Sequence, residues 1–168
     1  PVAAVVVAFI HFLPQLAILL LVCVLVGWAP SLLALGGVLL ALVLVVVFAL
    51  GLGLFFSGLN VRFRDAQNFV DLIKMFATWT SPVLYTWILV ADALNGVPGA
   101  FYAYMSNPVT VAVELFHIGF WDGTVAEPSA APPHFGLIIL VAAILALASM
   151  VIGQIVFRHF ERTFAQDL

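Results

Sequence analysis

The longest uncharged stretch of this sequence is its most restrictive feature. The first 61 residues contain no Asp, Glu, Lys or Arg, and the first charged side chain is Arg62. Only 8% of the 168 residues are charged and 65% are hydrophobic, which is too little charge to cover the surface of a water-soluble domain. Because about 20 consecutive apolar residues can cross a bilayer as a helix, the sequence predicts an all-α integral membrane protein.

Helix-breaking and polar stretches divide the apolar sequence into four predicted transmembrane helices of one transmembrane domain, 1–168. The turn GWAPS separates the first two, and a polar stretch at 57–68 precedes the third. The predicted spans are 2–27, 32–56, 69–91 and 136–157. In the second span, glycines such as Gly36 and Gly51 are expected to let another helix approach closely. A start at proline without a basic segment predicts that the chain is a fragment.

All five cations fall on one side of a four-crossing arrangement. They lie in or beside loop 57–68 and in the tail 158–168: Arg62, Arg64, Lys74, Arg158 and Arg162. The region 92–135 contains no Lys or Arg but has several acids, among them Glu114. Loops rich in Lys and Arg stay in the cytoplasm. We therefore expect a cytoplasmic loop at 57–68, an external region at 92–135, and both ends of the chain in the cytoplasm.

The predicted external region contains two short apolar pieces. GAFYAYM and NPVTVAVELFHIGF are separated by a turn signal at Asn107-Pro108. Each piece is too short to cross the membrane, and such lengths are typical of re-entrant or interfacial segments. The sequence predicts an external hairpin that turns at Asn107 and Pro108.

Three motifs together resemble a known family. LNVRFRDAQNFVDLIKMFATWTSPVLYT (59–86), NPVTVAVELF (107–116) and VFRHFERTFAQDL (156–168) are similar to the membrane subunits of type-2 ABC exporters. Among these, the motifs resemble the permeases that export polysaccharides and polyol phosphates such as O-antigen, teichoic acid or galactan. The family ending often has Glu where this chain has Gln166, and the stretch 120–136 matches no part of the pattern.

The resemblance implies a six-helix subunit of which this chain covers about the C-terminal two thirds. It implies a bacterial cytoplasmic-membrane permease that works as a homodimer and exports a lipid-linked glycan. It also implies that ATP and Mg are bound by a separate ATP-binding cassette subunit, so this chain is expected to be a transporter subunit and not an enzyme, with no cofactor and no nucleic-acid partner of its own.

The charged loop has two interpretations. The resemblance implies that Arg62, Arg64 and Asp65 lie against the ATP-binding subunit and couple its closure to membrane motion. The planar fork of arginine suits persistent pairing with carboxylates across such an interface. The alternative is that both arginines only anchor the loop in the cytoplasm, for which their positive charge is sufficient.

Aromatic residues near a predicted helix break are the candidates for the substrate path. Phe76, Trp79 and Tyr85 lie beside Ser81-Pro82 in the third predicted span. Flat rings offer apolar faces to sugars, and Tyr and Trp also carry a hydrogen-bonding group. Aromatic residues nearer the ends of the spans fit an interfacial belt equally well.

Other chemistry receives little support from the sequence. The only lysine, Lys74, is not part of a phosphate-binding loop, so no ATP hydrolysis is expected here. The histidines have no metal-ligand spacing, and His11 is expected to form a hydrogen bond between helices. Asp71 and Lys74, three positions apart, are expected to form an ion pair. Cys23 is the single cysteine.

One alternative function lies within the same superfamily, and two others belong to different classes of membrane protein. A drug or small-lipid exporter of the same superfamily would need a narrower aromatic lining. A secondary transporter usually needs acids within its membrane spans, and the four predicted spans contain none at depth. A structural membrane protein would not need the Arg-x-Arg-Asp loop.

Overall fold

The helical fold expected from the sequence is confirmed. The computed structural model describes residues 2–29, 31–62, 66–97, 99–121 and 131–164, and every regular element within them is a helix. The α-helices in these described residues are α1 (Val2–Leu25), α2 (Leu32–Arg62), α3 (Ala66–Thr80), α4 (Trp87–Ala93), α5 (Ala100–Met105), α6 (Pro108–Phe116) and α7 (Phe135–Phe164). A π-helical turn, His117–Trp121, follows α6.

Three of the described helices are long and apolar enough to cross a membrane. The qualifying segments are Val2–Leu25, Leu32–Asn60 and Phe135–Glu161. The third predicted span, 69–91, is instead divided between α3 and α4. Pro82 accounts for the division, because proline lacks an amide donor and disfavours helical geometry in the residue before it. Helix α2, which precedes α3, continues to Arg62. The first part of the stretch 57–68 is therefore helical.

Glycines bring α2 and α7 into close contact. A Cβ atom built on Gly51 would lie 2.5 Å from the backbone nitrogen of Met150, and one built on Gly153 would meet the carbonyl oxygen of Gly51. No larger residue fits at either position without moving a backbone. The close approach expected at Gly51 is therefore confirmed, whereas Gly36 has no neighbour within 4 Å of its Cβ position.

The same contacts fix the relative direction of α2 and α7. Gly51 faces residues 149–150, and Gly58 faces Phe157 seven residues further along α7. Positions on both helices therefore increase together, so the two helices run parallel. Parallel neighbours need a connection that returns along their whole length, and the described part of that connection is α3 to α6.

The break between α3 and α4 lies part of the way along this return. Val83 shares the wall of a cavity with Leu42 and Val46 in the middle of α2. Trp87, the first residue of α4, packs against the buried cluster that contains Ala41 and Leu44. The break between α3 and α4 therefore lies at the level of the middle of α2.

Helix α6 is buried between the N-terminal halves of α2 and α7. Six of its nine residues are buried, and Val111 and Leu115 share a cluster with Ile138 of α7. Leu115 lies beside Gly37, while Ala112, earlier on α6, shares the cavity wall with later residues of α2. Helix α6 therefore runs antiparallel to α2, from the middle of the bundle towards the N-terminal end of α2.

The turn after α1 is joined to the end of α6. The Trp28 indole nitrogen donates a hydrogen bond of 3.1 Å to the Gly119 carbonyl oxygen. The Trp28 ring also stacks on Phe120, with a centroid distance of 5.1 Å. These contacts hold the π-helical turn against the connection between α1 and α2. Helix α1 itself has no buried residue.

Candidate functional site

The predicted coupling residues lie at the C-terminal end of α2. Arg62 is the last residue of that helix. Its side chain, together with Arg64 and Asp65, falls outside the residues that the structure describes. The coupling role of these three residues therefore stays a prediction, and so does the alternative that the arginines are only anchors.

Two of the predicted path residues lie on the exposed surface of α3. Phe76 is 66% exposed and Trp79 is 69% exposed. They are three positions apart and share one face of the helix. The predicted ion pair between Asp71 and Lys74 is confirmed, with 3.0 Å between Lys74 Nζ and Asp71 Oδ1. Both charged groups are exposed, so the pair contributes little to stability.

Side-chain hydroxyls satisfy carbonyl oxygens at the end of α3. The last four carbonyls of a helix have no partner within the helix. Ser81 Oγ donates to the Ala77 carbonyl at 3.2 Å, and the Tyr85 hydroxyl donates to the Trp79 carbonyl at 2.8 Å. Since Ser81 is only 2% exposed, the chain is firmly packed where the helix stops.

The third predicted path residue, Tyr85, joins two distant parts of the chain. Its hydroxyl oxygen lies 2.7 Å from the hydroxyl oxygen of Tyr104 on α5. The structure thus brings Tyr85 to the backbone of Trp79 and to a residue that the sequence did not single out.

Asn107 and Pro108 form the joint between α5 and α6. The Asn107 side-chain oxygen accepts a hydrogen bond of 3.0 Å from the backbone nitrogen of Val109, and Pro108 occupies the first turn of α6. Both features are typical of a helix N-terminus. Two short helices separated by this joint agree with the turn expected from the sequence.

Two buried polar side chains on α6 were not identified from the sequence. Glu114 is 3% exposed and Thr110 is 0% exposed. Within the described part of the chain, neither Glu114 Oε1 nor Thr110 Oγ1 has a hydrogen-bond partner. His117 Nδ1 lies 3.8 Å from Glu114 Oε1. From the sequence, Glu114 was expected to be one of the acids of the external region, although its spacing from Thr110 and Val111 places all three on the same helix face.

An apolar cavity of about 510 Å³ lies between α1 on one side and α2 and α6 on the other. Its volume falls within the range of small-molecule sites, roughly 300–1,000 Å³. Phe12 of α1 and Phe116 of α6 meet edge to face across one side, and His117 adds a polar group to the wall. The aliphatic lining comes from α1, α2, α6 and the break: Val5, Ala8, Leu42, Val45, Val46, Ala49, Val83, Val109, Ala112 and Val113.

The structure does not support the expected role of His11. Its Nδ1 atom lies 2.8 Å from the carbonyl oxygen of Val7, one turn earlier in the same helix. Among the described residues the imidazole thus bonds to its own helix, and the expected hydrogen bond to another helix stays a prediction.

Comparison with known proteins connects the whole chain to a named group of permeases. It is 26% identical over 168 residues to an O-antigen export system permease protein RfbA of Klebsiella pneumoniae, and 29% identical over 168 residues to a second such protein of that organism. Each match covers 100% of this chain and 59% of the relative, so the chain spans about three fifths of their length.

Two further comparisons give no match. No protein-family model matches the chain, and no solved structure matches it. The similarity to these two proteins therefore runs through all 168 residues of the chain, and three of its described helices are long and apolar enough to cross a membrane.

Proposed function

We propose that this chain is part of the membrane-spanning subunit of an ATP-driven exporter that moves lipid-linked polysaccharide across the bacterial cytoplasmic membrane. The observation that carries the proposal is its similarity, over all 168 residues, to two proteins named as O-antigen export system permeases. The exposed aromatic residues of α3 and the apolar helices are compatible with this activity.

The proposed subunit crosses the membrane four times within this chain. The parallel packing of α2 and α7 supports a return crossing between them. Helix α3 has 15 residues and α4 has 7, which give lengths of about 22 Å and about 10 Å. With the six residues 81–86 between them, they can span the hydrocarbon core, which is about 30 Å thick. A broken crossing is compatible with a membrane because hydroxyl groups satisfy carbonyls at the break.

The proposed external hairpin consists of α5, the joint at Asn107 and α6. Its support is the antiparallel run of α6 beside α2 and the burial of Met105 and Leu115 in the same apolar cluster. A hairpin that enters from the external side and turns at Asn107 fits these contacts. Irregular backbone and a carboxyl such as Glu114 are tolerated at membrane depth where protein surrounds them.

Coupling to ATP is proposed at the opposite end of α2. The positive-inside rule places Arg62 and Arg64 on the cytoplasmic side, together with the end of α7. A separate ATP-binding cassette subunit that binds ATP and Mg would contact Arg62, Arg64 and Asp65 there. Two copies of the permease would enclose the path, and closure of two ATP-binding subunits would move them apart.

The substrate path is proposed along the exposed face of α3. Phe76 and Trp79 project there without covering neighbours in the described part of the chain. Glycan that passes these rings would lose water and gain contact with their faces. The Tyr85 hydroxyl already bonds to the Trp79 carbonyl and to Tyr104, so it is not free to bind glycan. Tyr85 would therefore contribute to the path through the face of its ring and by positioning Trp79.

The proposed function is tested in a strain from which the full-length permease has been deleted. We expect lipid-linked glycan to accumulate on the cytoplasmic side and surface glycan to disappear, with both restored by the wild-type subunit. Deletion of the ATP-binding partner is the matched control and should have the same effect. Normal surface glycan, with export of a hydrophobic drug lost instead, would contradict the proposal.

A further inference from the structure

The break after α3 connects an exposed helix to the packed part of the molecule. Every described side chain from Asp71 to Thr80 is exposed, so packing within this chain does little to fix the position of α3. By contrast, Tyr104 lies on α5 directly before the fully buried Met105, and it packs against the buried cluster of α2, α6 and α7. A bond from Tyr104 to the break therefore joins the exposed helix to the packed bundle.

The donors in this chain of hydrogen bonds can be assigned from the geometry. A tyrosine hydroxyl has one hydrogen, and a carbonyl oxygen only accepts. The Tyr85 hydroxyl donates its hydrogen to the Trp79 carbonyl at 2.8 Å. In the 2.7 Å hydrogen bond between the two hydroxyl groups, Tyr104 must therefore donate its hydrogen to the Tyr85 oxygen. Tyr104 thus orients the hydroxyl that caps the end of α3.

We propose that Tyr104 is a positioning residue of the substrate path. Tyr104 donates a hydrogen bond to Tyr85, and Tyr85 donates one to the Trp79 carbonyl. These two bonds fix the orientation of the end of α3, in which Phe76 and Trp79 face the path. This inference rests on the proposed path at Trp79. In an apolar environment a helix-end carbonyl without a partner is costly, so loss of Tyr85 releases the end of the helix. Loss of Tyr104 leaves the cap in place but free to rotate.

The labelling rate of a cysteine placed at the break measures how well the break is packed, and this measurement does not depend on transport. Ser81 is 2% exposed and Leu84 is 83% exposed. In the full-length permease with its ATP-binding partner, purified in detergent and free of other cysteines (Cys23→Ala), Ser81→Cys should react slowly with a small maleimide and Leu84→Cys rapidly. Adding Tyr104→Phe should accelerate labelling of Ser81→Cys about five- to tenfold, the scale of one lost hydrogen bond. Tyr102→Phe, on the same helix, is the matched control and should change nothing.

Export measurements then test how Tyr104 acts. Tyr104→Phe should lower glycan export, Tyr85→Phe should lower it at least as much, and the double variant should match Tyr85→Phe alone because Tyr104 acts through Tyr85. Unchanged labelling of Ser81→Cys in Tyr104→Phe would overturn the proposal. Faster labelling with normal export would also overturn it. Trp79→Ala separates the two proposals: if that variant exports normally, the path itself is misplaced.

Discussion

A permease with Arg62→Ala and Arg64→Ala is expected to enter the membrane and yet to export about tenfold less glycan or worse. Charge-assisted hydrogen bonds contribute about 1.5–3 kcal/mol each, and one such bond is enough for a tenfold effect. Both residues follow directly on the long apolar part of α2, where a push from an ATP-binding subunit would be transmitted along the helix. The measurements are surface glycan and ATP hydrolysis by the purified complex.

The variant Arg62→Lys/Arg64→Lys separates coupling from anchoring. Lysine keeps the positive charge that holds a loop in the cytoplasm but lacks the planar fork of arginine. We expect normal insertion and partial loss of export. Wild-type export by the alanine double variant would show that the arginines have no role in coupling, and full export by the lysine variant would show that charge alone is enough.

Trp79→Ala is expected to lower export of the polysaccharide roughly two- to tenfold, since an aromatic contact contributes about 0.5–1.5 kcal/mol beyond its buried area. The side chain is 69% exposed and supports little of the fold within this chain. Its replacement also leaves the backbone carbonyl that accepts from Tyr85 in place. The measurement is accumulation of lipid-linked glycan inside cells, normalised to the amount of permease.

Two control variants accompany Trp79→Ala. Trp79→Phe retains a ring face and should export nearly as well as the wild type. Ile18→Ala removes a side chain of similar exposure, 65%, from α1 and should have no effect on export. Normal export by Trp79→Ala, or a loss explained entirely by a lower protein level, would assign the ring to packing or lipid contact.

Local features of the fold could be predicted from the sequence. The ion pair of Asp71 and Lys74 and the turn at Asn107-Pro108 each depend on residues close together in the sequence, so local spacing is enough to predict them. The helical fold followed from the length of the apolar stretches, because a backbone in lipid must satisfy its own hydrogen bonds. The close contact of another helix with α2 at Gly51 was expected because glycine has no side chain.

Features that depend on long-range packing could not be predicted in this way. Glu114 was assigned to an external loop, and only the position of α6 between α2 and α7 shows that its carboxyl is buried. The pair of Tyr85 and Tyr104 joins residues 19 positions apart, which no local pattern indicates. Pro82 marked a break in the third predicted span, but the length of the interruption depends on how the chain packs from Ser81 onwards.

The measurement that tests the account most directly is the sidedness of two exposed asparagines at opposite ends of the proposed return crossing. Asn60 lies near the end of α2 and Asn95 follows α4, and both are exposed. Each is replaced by cysteine, in the full-length permease without other cysteines, and spheroplasts are treated with an impermeant maleimide. We expect Asn95→Cys to react in intact spheroplasts and Asn60→Cys to react only after lysis. Reaction of both from the same side would contradict the return crossing through α3 and α4, and with it the proposed arrangement of path and coupling loop.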